Sequence, residues 1–210
     1  MSATCSCQSG CSSARTDPRF RKALWVALFL NALMFFVELG ASWASGSVSL
    51  LADSVDFFGD AANYAISLAV LAMAASVRSK AAIVKAATMG AFGVFVLGKA
   101  FYNLQAGVTP EPITMGAVGL AALAVNAGVA LMLFRFRSGD ANMRSVWICS
   151  RNDAIGNVAV MLAAVGVFGT GSAWPDLAVA GVMGFLAIAG ARTVLNHARQ
   201  ELRRPAAHAG

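Results

Sequence analysis

Residues 48–75 read VSLLADSVDFFGDAANYAISLAVLAMAA. At a helical rise of 1.5 Å per residue, a run of this length crosses a ~30 Å hydrocarbon core. It lacks the strict alternation of a barrel strand. The run nevertheless holds three carboxylic acids, Asp53, Asp56 and Asp60. A charged side chain at the centre of a membrane helix costs about 2.5–3.5 kcal/mol on insertion scales, so these acids should face a bundle interior or a water-filled cavity. Asp56 and Asp60 stand four apart and share one helix face, while Asp53 lies one turn earlier on a neighbouring azimuth. Two ionised carboxylates on one face repel each other. A divalent cation relieves the repulsion, and so does a proton.

Working outward, five further apolar runs cover about 23–44, 81–104, 113–134, 145–169 and 173–195. Of the 210 residues, 58% are hydrophobic and 12% charged, and mean hydropathy is +0.68. Soluble domains carry roughly twice that charge. The expected fold class is therefore an all-α membrane protein of six transmembrane helices. Its parts are a Cys-containing disordered tail over 1–22, a six-helix transmembrane domain over 23–196 and a short C-terminal tail over 197–210. The first run contains Glu38 and exceeds a signal-peptide h-region, so it reads as a span.

Basic residues set the orientation. Arg15, Arg19, Arg21 and Lys22 precede the first run, and Arg78, Lys80 and Lys85 surround the second link. Arg135, Arg137 and Arg144 flank the fourth link, and Arg192, Arg199, Arg203 and Arg204 end the chain. The opposite links, near Gly46, Pro110 and Gly171, hold no Lys or Arg. The positive-inside rule places both termini in the cytoplasm, with an inner (plasma) bacterial membrane as the expected setting. The net charge of +6 is then topological, and a nucleic-acid partner is excluded; the partner is the lipid bilayer.

The fifth run repeats the spacing of the second with a thiol, as Cys149 and Asp153 are also four apart. Two helices offering two ligands each can supply four donors, Asp56, Asp60, Cys149 and Asp153, to one ion. A thiolate with carboxylates suits Zn²⁺ and accommodates Cd²⁺, whereas Mg²⁺ and Ca²⁺ prefer all-oxygen sites. Asp53 is either an accessory ligand or a capping acid. Glu38 is expected to snorkel or to pair with Lys99, the lysine inside a span, in preference to a transport role. Asp176, after Pro175, reads as a cap or first-turn acid of the sixth helix. Arg151 reaches for an interface or an acid, and Asn31, Asn63, Asn103, Asn126 and Asn157 suit interhelical bonding. Cys5, Cys7 and Cys11 on a reducing side form either a soft-metal chelate or part of a disordered leader.

Ser49-Leu-Leu-Ala-Asp53-Ser-Val-Asp56-Phe-Phe-Gly-Asp60 and Cys149-Ser-Arg-Asn-Asp153-Ala-Ile-Gly-Asn157 together resemble the cation diffusion facilitator family of metal/proton antiporters. That family has His or Asp followed four residues later by Asp in spans two and five. The resemblance extends over all six spans in number and order. It implies a transport site of Asp56, Asp60, Cys149 and Asp153, with Asp53 at a further acidic position and Asp176 at one often found in the sixth helix. It also implies a homodimer, no cofactor, and export of a divalent metal from the cytoplasm by alternating access against proton influx. Cys149 departs from the family pattern and softens the site. The chain reads as a short form, without the family's cytoplasmic domain after span six or a His-rich link between spans four and five.

Two other classes remain open on the residues alone. A membrane-embedded metalloenzyme could use the same acids, although the runs contain no His-Glu-x-x-His motif. A metal sensor or scaffold could use the Cys tail with the bundle as its anchor, and it would tolerate loss of Asp56 and Asp60.

Overall fold

The computed structural model describes residues 18–69, 75–136, 138 and 141–203. They form six helices: α1 Pro18–Ser45, α2 Val48–Ala69, α3 Ala75–Ala106, α4 Pro112–Phe134, α5 Ala141–Thr170 and α6 Trp174–Arg203. Among the described residues there is no strand. The expected all-α membrane architecture is what the chain adopts. Five helices contain stretches long and apolar enough to cross a membrane. The other, α2, carries Asp53, Asp56 and Asp60 within its 22 residues. The tail with Cys5, Cys7 and Cys11 lies outside the described residues.

Helix ends depart from the apolar runs in a consistent way. α1 starts at Pro18, ahead of the run, because proline suits a first turn and Arg19, Arg21 and Lys22 stand exposed beyond the apolar stretch. Phe20 turns inward there and meets the Phe136 ring edge-on at 5.2 Å. α6 likewise outruns its apolar stretch and continues to Arg203.

The helices are apolar outside and partly polar inside. On α1 the buried residues Phe20, Leu24, Ala27, Asn31, Met34, Glu38, Ser42 and Ser45 recur every three or four positions and include four polar side chains. Trp25, Phe29, Phe36 and Trp43 on the other faces are exposed. A soluble amphipathic helix has the reverse pattern. Lipid removes the cost of exposed apolar surface, so the polar residues turn inward to find partners.

α2 is the hub, packing against α1, α3, α5 and α6. α1 also packs on α4 and α4 on α5, while α3 and α6 form a closely packed pair to one side. Small residues allow that pair to approach. A Cβ on Gly93 would stand 2.9 Å from Ile188 Cγ1 and 3.1 Å from the Gly184 carbonyl oxygen. Near the lysine-free links, the first turns of α2 are held in two apolar clusters. Val48, Leu51, Ala52 and Val55 meet Val96, Leu177 and Ala180, and Leu50 meets Met115, Val160, Ala163 and Val167. At the opposite end, Tyr64 joins Phe20, Leu24, Val129, Leu133 and Phe136.

The α2 start is fully accounted for in hydrogen bonds. The chain turns at Gly46, with φ of +74°, a conformation that favours glycine. Ser47 Oγ accepts from the Leu50 N–H at 3.1 Å. The Val48 and Ser49 N–H groups donate to Asp176 Oδ2 and Oδ1 at 2.9 and 3.0 Å, and Ser47 Oγ–H donates to Oδ1 at 2.7 Å. Asp176 does sit in the first turn of α6. Its carboxylate, however, caps α2, where three N–H groups need acceptors inside an apolar bundle. Asn103 Nδ2 donates to the Gly46 carbonyl, and the Glu111 N–H donates to the Ser45 carbonyl. Five helix ends, those of α1 and α3 and the starts of α2, α4 and α6, are thereby tied around one turn.

Candidate metal centre

The acids of α2 sit at the centre of the bundle because α2 itself does. Asp53 and Asp60 are 1% and 7% exposed, whereas Asp56 and Asp153 keep partial access. The four expected site positions therefore fall on the two helices, α2 and α5, that pack together at the core.

The carboxyls of Asp60 and Asp153 come within hydrogen-bonding reach of each other across that contact. Asp153 Oδ2 has no hydrogen-bond donor. Asp56, one turn from Asp60, is close enough to act electrostatically on both Asp60 and Asp153. Cys149 lies on α5 one turn ahead of Asp153, but its side chain is outside the described residues. Among the described residues, no three His, Cys, Asp or Glu side chains converge tightly enough to enclose a metal ion. The arrangement is thus a facing acid pair with a third acid one turn away.

Glu38 departs from its expected setting. It is fully buried and does not snorkel. Nor does it pair with Lys99, whose ammonium lies over the Tyr102 ring, 5.1 Å from the centroid. Glu38 faces Asp53 of α2 instead. Neither Glu38 oxygen nor Asp53 Oδ2 has a hydrogen-bond donor. Two buried carboxyls meeting without a donor are mutually satisfied only when a proton or a cation lies between them.

Four further polar groups, Tyr64, Ser150, Lys85 and Asn63, extend the column along α2, and sequence reasoning had not attached them to the site. The Tyr64 hydroxyl lies 2.7 Å from Ser150 Oγ on α5 and within reach of Asp60. Tyr64 is one turn beyond Asp60, so the i,i+4 spacing held the signal for it. Lys85 of α3 donates to Asn63 Oδ1 and is close enough for its charge to act on Asp56 and Asp60. A lysine near a run boundary reads first as a topological marker, which concealed this role. From Asp53 to Asn63 the column rises ~15 Å, about half a hydrocarbon core.

The asparagines vary in function. Asn126 Nδ2 lies 3.5 Å from Asn157 Oδ1 across α4 and α5, whereas Asn31 Nδ2 turns back to its own helix at the Ala27 carbonyl. Arg151 stacks over the Trp147 ring at 5.4 Å.

Carboxylates drawn together in an apolar bundle can exchange a hard or borderline cation for protons. The comparisons with known proteins concern cation efflux. Residues 24–202 match the family described as the cation efflux transmembrane domain. The chain is 25% identical over 175 residues to the metal cation efflux system protein CzcD of Cupriavidus metallidurans. It has the same identity over the same length to the cation efflux system protein CzcD of Alcaligenes sp.. In both cases the match covers 78% of this chain and 55% of the relative, so it spans about half the length of these curated proteins. With the family match extending over most of its length, the chain belongs to the cation efflux family of integral membrane proteins.

Proposed function

We propose that this protein is a secondary transporter that moves a divalent metal cation, Zn²⁺ or Cd²⁺, out of the cytoplasm in exchange for protons. The observation that carries this reading is the meeting of Asp60 on α2 with Asp153 on α5 at the core of a cation efflux domain. Asp56, Asp60, Cys149 and Asp153 are the proposed ligands, with Asp53 as an accessory acid. The metal is cargo, and the reading requires neither a resident cofactor nor an enzymatic step.

The chemistry follows from the donor set. Metal entering from the cytoplasm binds deprotonated carboxylates and thiolate, so affinity rises with pH. Rearrangement of the helices opens the site to the other side, where protons replace the metal at the same oxygens and sulfur. Inward proton flow then drives metal outward. Both termini lie in the cytoplasm in this scheme, the host is a bacterial inner membrane, and two copies work as a homodimer. The α3–α6 pair, which reaches the ligand helices through α2 and α5, can transmit rearrangement at their contacts.

The test is metal flux in proteoliposomes under an imposed pH gradient, with lumenal pH read in parallel. Zn²⁺ or Cd²⁺ uptake coupled to opposite proton movement is expected in wild type. It should fall at least tenfold in Asp56→Ala and Asp153→Asn. Undiminished flux in both variants would overturn the assigned site. Metal binding without any wild-type flux would overturn transport itself.

A further inference from the structure

Glu38 and Asp53 meet through the register of one helical hairpin. α1 ends at Ser45 and α2 begins at Val48, with the turn at Gly46 between them. Glu38 lies eight residues before Gly46 and Asp53 seven after it, so they stand at the same depth on packed neighbours. Both side chains are buried, and their carboxyls are close enough for one proton or one ion to bridge them. Glu38 Oε1, Glu38 Oε2 and Asp53 Oδ2 all lack a hydrogen-bond partner. The neighbouring hydroxyls are committed elsewhere. Ser42, one turn beyond Glu38, donates to the Ser47 carbonyl at 2.6 Å, and Ser54 donates to the Leu51 carbonyl at 2.7 Å.

A buried pair of carboxylates needs a compensating charge. A single shared proton forms one bond between two oxygens and leaves the third of these three without a partner. A divalent cation held by both Glu38 oxygens and by Asp53 Oδ2 contacts all three and cancels both charges, since carboxylates bind such ions through one oxygen or two. The pair contains no thiol. It therefore suits harder ions than a site with Cys149 does, Mn²⁺ and Zn²⁺ ahead of Cd²⁺. Its position supplies a role. Asp53 stands ~4.5 Å along α2 from Asp56 and ~10 Å from Asp60, toward the lysine-free end. Asp56 keeps partial access and acts electrostatically on Glu38, so the pair is continuous with the proposed ligands. Beyond it lie the apolar clusters around the first turns of α2.

We propose that Glu38 and Asp53 form a second, all-oxygen site for a divalent cation, a waypoint between the four-ligand site and the lysine-free end of the bundle. The role as a waypoint rests on the transport reading above; the site itself does not. A cation leaving four ligands steps onto two a turn away before it reaches the apolar end. A succession of weaker sites permits release where a single tight site would hold the ion.

The probe is Mn²⁺, whose free-ion electron paramagnetic resonance signal disappears on binding. The protein is the full chain in detergent, carrying Asp153→Asn to disable the four-ligand site. This protein should still bind Mn²⁺. Adding Glu38→Gln should weaken that binding at least tenfold, as loss of a direct ligand costs no less than the roughly 10–100-fold of an outer-shell change. Asp53→Asn is the second variant and should do the same. Melting in metal-free buffer, undiminished by Glu38→Gln, separates a lost ligand from a lost fold. In proteoliposomes Glu38→Gln alone should lower maximal Zn²⁺ flux severalfold, while Zn²⁺ affinity in detergent stays within about threefold of wild type.

Mn²⁺ binding that is absent in Asp153→Asn, or unchanged by Glu38→Gln, would overturn the site and leave the pair to a shared proton. Mn²⁺ binding lost as expected with full Zn²⁺ flux in Glu38→Gln would overturn the waypoint. Wild type that moves no metal defeats the transport reading, and the Mn²⁺ titration still decides whether Glu38 and Asp53 hold a cation.

Discussion

Glu38 of α1 and Asp53 of α2 face each other inside the bundle, and neither Glu38 oxygen has a hydrogen-bond donor. Buried polar atoms without partners are uncommon, and each costs about 1–3 kcal/mol. Glutamine at position 38 keeps the shape and adds an N–H that can donate to Asp53. Glu38→Gln should therefore melt at or above the wild-type temperature in detergent. Glu38→Leu leaves Asp53 unpartnered and should lose about 1–3 kcal/mol relative to the glutamine variant. Equal melting temperatures for the two variants would mean that the acids are not energetically coupled.

Tyr64 links Asp60 to Ser150, and so joins the two ligand helices below the facing acids. The ring packs in the apolar cluster with Phe20, Leu24 and Leu133, while the hydroxyl serves the site. Tyr64→Phe keeps the ring and removes only the hydroxyl. Stability should change by no more than about 1 kcal/mol, the net worth of a typical hydrogen bond. Metal flux should fall severalfold as Asp60 loses a positioning partner. Flux equal to wild type would remove Tyr64 from the site.

Asp176 holds the start of α2 from the first turn of α6. Asp176→Ala leaves the Val48 and Ser49 N–H groups buried without acceptors. The expected loss is about 3 kcal/mol, since hydrogen bonds to a charged acceptor each contribute about 1.5–3 kcal/mol. Asp176→Asn retains one acceptor oxygen and should lose roughly half as much. Thermal unfolding in micelles distinguishes the three proteins, and an alanine variant as stable as wild type would contradict the cap.

Glu111 caps α4, accepting from the Ile113 N–H at 2.8 Å and the Thr114 N–H at 2.7 Å. The Thr114 side chain, followed by these two backbone N–H groups, favours the ionised form and holds its pKa below the usual 4.5. A depressed folded-state value means the stabilisation is complete above pH 4.5 and is lost as pH falls through the lower folded value. Wild type and Glu111→Ala should differ in melting temperature at pH 7 and converge toward pH 3. A gap that persists unchanged at pH 3 would show that ionisation of Glu111 plays no part.

Legibility differed between fold and site for a physical reason. Apolar run length against bilayer thickness is a one-dimensional quantity, so helix number and approximate bounds could be read from the order of residues. So could the faces of α2 and α5 that carry Asp56, Asp60 and Asp153, since helical periodicity follows from spacing. Neighbours between helices could not. Glu38 was expected to snorkel or to pair with Lys99, yet bundle packing set it against Asp53 and turned Lys99 onto Tyr102.

The sequence by itself determined that this chain is a bundle of membrane helices with acids turned inward, because lipid cannot solvate charge and each helix satisfies its own backbone. Only the tertiary structure decided which acids meet, that Asp176 caps α2 and not its own helix, and that Lys85 reaches the acid column. Those outcomes depend on how helices distant in the chain pack and rotate against one another, which local periodicity does not specify.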